Sequence, residues 1–286
     1  MWRNKILAIL LALPSIAFSF NEEAPDSLSE VSRPVTQIYN LEAGGVRILD
    51  TYLSPLYYSG YSLALSGVWT KALPAHNPRR LTMRFDASLR ADFTDNPGRT
   101  ASMYALEADF SWGLARRWKL PYGLQLTAGG SAGVEAGVIY LPRNGNNPAS
   151  ALASFDIAAT ASLSRVISLG KVPVLLSENL SIPSFSLFFS PQYGEPYYEI
   201  YLGNHSGLIH AGWWGNHFGI DNLIAADMDF GSTALRIGYH FRVRSSFVCQ
   251  TNISRTSHAF VIGVIPHGLG LKPKPSPKTI NINALY

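Results

Sequence analysis

Residues 80–93 read RLTMRFDASLRADF. The even positions are Arg80, Thr82, Arg84, Asp86, Ser88, Arg90 and Asp92, all polar. The odd positions are Leu81, Met83, Phe85, Ala87, Leu89, Ala91 and Phe93, all apolar. Side chains alternate across a β-strand, so one face of this strand is apolar and the other charged. Strands of globular proteins usually have about 5–6 residues. A barrel strand crossing a bilayer needs about 9–11, apolar side to the lipid and polar side to the lumen. The stretch therefore predicts a membrane-spanning barrel strand.

The pattern recurs along the chain. In Ala101–Arg117, Tyr104, Leu106, Ala108, Phe110, Trp112 and Leu114 face Glu107, Asp109, Ser111 and Gly113. Gly123–Leu141, Leu152–Ile167 and Tyr61–Thr70 alternate in the same way, and Gly129, Gly130 and Gly133 read as strand glycines. Val172–Phe189 slips phase near Pro183, which predicts a bulge or kink. Tyr197–Gly203, Leu208–Ile220, Asn222–Phe230, Ser232–Phe247 and Ser257–Ile265 give weaker strand patterns. The fold class expected is all-β: a single antiparallel up-and-down transmembrane β-barrel of about 12 strands, with 10 as the alternative, since bacterial single-chain barrels have even numbers. If both termini lie in the periplasm, loops near 53–60, 94–100, 142–150 and 190–194 face outward. They are short, so no large plug or receptor loop is expected.

The flanks divide the chain further. Arg3 and Lys5 precede an apolar run, Ile6–Phe18, broken only by Pro14 and Ser15 and followed by small residues. This reads as a signal peptide, 1–19, too short for a spanning helix. Residues 20–36 are an acidic, flexible lead-in. The barrel is expected over 37–265. Residues 266–286 form a periplasmic Pro/Lys tail, PHGLGLKPKPSPK and then TININALY. The last eight alternate again, so they are either a loose end or a strand added to something, the first being favoured.

Composition removes several function classes. The formal charge is +4, two units of it from Arg3 and Lys5, too little to argue for nucleic acid. A single cysteine, Cys249, excludes an intrachain disulfide and a cysteine-based zinc cluster. His205, His210 and His217 lie close in sequence but at no metal-ligand spacing, so no metal is expected. No nucleophile elbow or phosphate loop appears, so no cofactor and no enzyme is expected. A hydrolase built on Ser257 and His258 is the third reading, weakened because adjacent strand residues point to opposite faces.

Charge on the inner faces is the main functional signal. Arg80, Arg84, Asp86, Arg90 and Asp92 lie on one strand, Glu107 and Asp109 on the next, with Arg84 expected near Asp109. Glu135, Asp156, Arg236, His240 and Arg242 complete the lumen-lining set. They either line a pore and select solutes or lock a narrow lumen by pairing with one another. Tyr52, Tyr57, Tyr58, Tyr61, Trp69, Trp112, Trp118, Tyr122 and Tyr140 are expected at the lipid–water boundaries.

Leu49-Asp50-Thr51-Tyr52-Leu53-Ser54-Pro55-Leu56 with Tyr58 and Gly60, and later Leu235-Arg236-Ile237-Gly238-Tyr239, Asn252 and Phe260-Val261-Ile262-Gly263, carry a resemblance. Over about 41–265 the chain resembles a family of exported proteins found mainly in the Bacteroidetes, domain of unknown function 3316. The resemblance implies an outer-membrane barrel and no assigned activity. The expectation is an outer-membrane protein of a Gram-negative bacterium that acts as a small channel or passive transporter. The alternative is a closed-lumen accessory or scaffolding subunit of an envelope complex. Its partners would be the lipid bilayer, the barrel-assembly machinery during insertion and an envelope protein, with no nucleic acid.

Overall fold

The computed structural model describes residues 30–74, 80–271 and 279–285. The expected leader, the start of the lead-in and the turn at His76–Pro78 lie outside the described residues. The strands are β1 (Glu30–Ser32), β2 (Thr36–Asp50), β3 (Ser54–Ala72), β4 (Leu81–Asp95), β5 (Ser102–Lys119), β6 (Leu124–Tyr140), β7 (Ala149–Leu169), β8 (Val172–Phe189), β9 (Ile209–Gly212), β10 (His217–Asp229), β11 (Thr233–Val248), β12 (Thr251–Pro266) and β13 (Thr279–Asn281). Ten of them close an antiparallel barrel: β2 to β8 in order, then β10, β11 and β12, with β12 paired back on β2.

The count is ten, the alternative expected, and falls short of 12 because the chain between β8 and β10 does not make full strands. Tyr197–Tyr201 is one helical turn, entered through Pro196 with Glu199 near its start, where an acid suits the helix dipole. Leu208–Ile220 splits into the short β9, which adds to β8, and the start of β10. Residues 190–216 therefore form a long loop at one mouth, contrary to the expectation of short loops only. The phase slip in β8 is present: the β7–β8 register shifts between Ile157 and Ala158, opposite Pro183.

Alternation places the two faces. On β3 to β6 the outward rows include Tyr61–Phe93–Tyr104–Tyr140 and Trp69–Phe85–Trp112, each residue directly across from the next. The Tyr61 and Phe93 rings stack with centroids 5.1 Å apart. On β3, β4 and β5 the rows are separated only by Leu, Ala, Phe and Gly, as in Leu63, Leu65 and Gly67. That span matches the apolar band of a bilayer barrel, about 25 Å tall between aromatic girdles. Tyr52 and Tyr58 do not join the girdles; both are buried at a mouth.

Inner faces differ in size around the ring. β6 turns Thr127, Gly129, Ser131, Gly133 and Glu135 inward, while β11 and β12 turn Arg236, Arg242, Arg244 and Arg255 inward. Long side chains thus meet short ones across the lumen. At Gly129 a Cβ would sit 2.0 Å from the Leu114 carbonyl oxygen, so β5 and β6 approach this closely only without a side chain there.

Candidate functional site

The interior is the candidate site, and it is layered. Its middle layer is ionic. Arg242 of β11 holds Asp109 of β5 at 2.7 Å and Glu107 at 2.8 Å. β5 and β11 stand on opposite sides of the ring. Arg255 of β12 pairs with Glu107 and with Glu135 of β6, again reaching across. His240 sits between Glu42 at 2.7 Å and Asp221 at 2.9 Å. Arg244 lies 3.8 Å from Glu135. Arg90 lies 3.9 Å from Glu42, and its Nη1 donates to Ser257 Oγ at 3.1 Å. Buried charges are tolerable when paired and hydrogen-bonded, and here the pairing partners come from different strands.

Other expected residues sit at the edges of this layer. Arg84 forks onto Asp86 at 2.6 Å and donates to Asn179 of β8 at 3.1 Å. It does not meet Asp109, because the β4–β5 register sets Arg84 across from Gly113 and Ser88 across from Asp109. Asp156 accepts from Ser154 and Ser186 and faces His217 at 3.5 Å. Asp92 is 2% exposed. Arg236 grips Asp227 through two hydrogen bonds of 2.6 and 2.8 Å. Arg80 is the exception: it lies exposed in the turn ahead of β4, outside the lumen, because the strand starts one residue later.

The two mouths are lined by other chemistry. At the mouth away from the termini, Val46, Ile48, Tyr58, Met103, Ala105, Ile139, Leu152 and Ile253 form an apolar plug with Tyr52 and Leu53. The loop 190–216 fastens to it. Tyr52 Oη donates to the Glu195 carbonyl at 2.7 Å, and Tyr197 Oη accepts from the Ala151 N–H at 2.7 Å. Burial raises the pKa of the Tyr52 phenol, so it stays a donor.

At the mouth carrying the termini, the tail folds back. β13 pairs in parallel with β1. The Arg117 side chain donates to the Asn283 carbonyl at 3.1 Å, and Asn283 Nδ2 donates to the Leu269 carbonyl at 2.7 Å. Ile282 and Ala284 pack on Ala72, and Leu285 packs against the cluster of Ile38, Val68, Leu175, Ala234, Ile265 and Leu269. The tail is therefore the added strand rather than the loose end.

The ionic layer opens toward the tail on a cavity of about 260 Å³, whose wall includes Glu42, Asp109, Glu135 and Arg242. Arg84, Asp86, Asn179, Asp221 and His240 line it, with Ala284 and Leu285 against it. Glu107, Asp109 and Glu135 bring carboxylate oxygens within 4.8 Å of one another, a spacing that suits a cation. Arg242 and Arg255 already neutralise them. The three histidines do not converge: His210 bonds the Ser190 carbonyl, His217 faces Asp156, and His205 is exposed. Ser257 faces the lumen while His258 lies outside, so the pair forms no dyad.

Sequence reasoning missed Glu42, Asp221, Arg244 and Arg255. Arg244 shares the parity of Arg242 and could have been found by extending that face. The others lie on strands whose alternation is weak.

No curated protein matches the chain. Among solved structures, it is similar to the transport unit of the autotransporter AIDA-I from Escherichia coli, at 9% identity and TM-score 0.45, covering 92% of this chain and 98% of that one. It is also similar to the translocator domain of the autotransporter NalP from Neisseria meningitidis, at 8% identity and TM-score 0.35, covering 92% and 95%. Residues 6–275 match the family model described as Protein of unknown function (DUF3316), and the chain belongs to that family.

Proposed function

We propose that the protein is an outer-membrane barrel of a Gram-negative envelope whose lumen is closed, and that it serves as an anchoring or accessory subunit rather than an open pore. The mouth carrying β1 and β13 faces the periplasm; the loop 190–216 faces outward. The observation that carries this reading is the ionic layer: Arg242 and Arg255 tie opposite walls together through Glu107, Asp109 and Glu135. Opening a water path would require separating these pairs, which leaves charges unpaired and buried. The outward aromatic rows around an apolar band support the bilayer as its solvent.

A second reading, passage of a small solute, draws on the cavity of about 260 Å³, which Ala284 and Leu285 of the tail line in part. Liposome swelling separates the two. Vesicles carrying the full-length protein should swell in small sugars no faster than protein-free vesicles. Swelling that depends on sugar size would overturn the closed reading. A stoichiometric envelope partner recovered in mild detergent would strengthen the accessory role.

A further inference from the structure

The lipid-facing wall has one feature that neither the barrel nor its lumen explains. Alternation on β8 turns Leu176, Glu178, Leu180 and Ile182 outward, in register with Arg165, Leu163, Ala161 and Ala159 of β7. On β10 the outward residues include Asn222, Ile224 and Ala226, since Asp221 points into the lumen to His240. Glu178 is exposed on this outer wall, and Asn222 Nδ2 donates to its Oε1 at 3.1 Å. A carboxylate and an amide thus sit side by side on the outer wall. Leu163 and Ile224 lie directly across from Glu178 on either side, and Leu176 and Leu180 lie above and below it along the strand.

Ionisable groups on a lipid-facing wall are costly and mark contact with something other than lipid. The nearest cation on the same wall, Arg165, stands across from Leu176, and no ion pair joins it to Glu178. Elsewhere on the described outer wall, charged residues such as Lys71, Arg116 and Asp95 lie at strand ends.

We propose that the β8–β10 seam is an intramembrane contact between two copies of this chain. The hydrogen-bond chemistry selects a second copy. The pair presents one remaining amide N–H beside a carboxylate oxygen. Around a two-fold axis that donor meets the partner's carboxylate and that acceptor the partner's amide, so the patch is complementary to itself. Ala159, Ala161 and Ala226 beside it let the two walls approach closely, as small residues do between membrane segments. This inference rests on the membrane placement proposed above.

The test is disulfide cross-linking in native membranes, in the full chain with Cys249→Ser. Leu180→Cys, directly across from Asn222 on the outward face, should give a dimer band on oxidation, and Phe110→Cys, on the lipid face of β5 away from the seam, should not. In detergent, Glu178→Leu with Asn222→Leu should weaken dimerisation at least tenfold while the barrel stays folded by heat-modifiable migration. Glu178→Gln, which keeps a donor and an acceptor, should retain the dimer. A membrane-inserted chain that cross-links equally at both positions, or not at all, overturns the proposal. So does Leu180→Cys captured only by a different protein. Absence of the chain from the outer-membrane fraction would instead overturn the membrane placement.

Discussion

The middle of the lumen and the mouth under the 190–216 loop are both filled, but by opposite means. The middle is held by guanidinium–carboxylate pairs across the diameter; the mouth is held by apolar packing around Ile48, Met103 and Ile139, all 0% exposed. In the apolar plug, a substitution costs mainly its own buried contacts and the cavity it leaves. The ionic layer is not additive, because one arginine answers several carboxylates, and its removal strands them together.

That contrast orders the expected effects. Arg242→Met leaves Asp109 and Glu107 short of a partner and should cost about 3–5 kcal/mol of unfolding free energy; urea unfolding followed by heat-modifiable migration measures it. Adding Asp109→Asn and Glu107→Gln to that variant should recover at least half the loss, since removing both sides of a buried pair costs far less than removing one. No recovery would mean the layer is held by packing like the mouth. Ile48→Ala at the mouth should cost about 3 kcal/mol, unchanged by the lumen substitutions, because distant sites add. Tyr52→Phe removes only the bond to the Glu195 carbonyl and should cost about 1 kcal/mol, with faster proteolysis in 190–216. Arg80→Ala should change stability by less than about 0.5 kcal/mol, as exposed sites do, in contrast to Arg84→Ala or Arg90→Ala.

The same contrast explains what was legible in the sequence. Arg84, Asp86, Arg90, Asp92, Glu107 and Asp109 were readable because β4 and β5 alternate without a break, and parity alone fixes the face. Glu42 was not readable: Ala43, Gly44 and Gly45 beside it blur the apolar side. Arg255 precedes the expected start of its strand at Ser257, since Asn252, Ser254 and Thr256 on its outer face are polar. Pairing was less accessible still. Register sets Arg84 against Gly113, and only closure of the ring brings Arg242 to Asp109, two residues far apart in the chain. What separates the ten strands observed from the larger count of 12 is the segment where the chain leaves the apolar solvent. Residues 197–203, YYEIYLG, are rich in strand-favouring Tyr and Ile, but no second wall face demands a strand. The tail's alternation was legible, but its docking was not, since it rests on a three-residue strand and a few apolar contacts with residues far back in the chain.

Single-channel recording in planar bilayers tests the proposal of a closed lumen most directly. The full-length protein should give no steady conductance steps, while Arg242→Met combined with deletion of residues 279–286 should give discrete openings. Steady steps from the intact protein, at the same frequency with or without Arg242, would contradict the account.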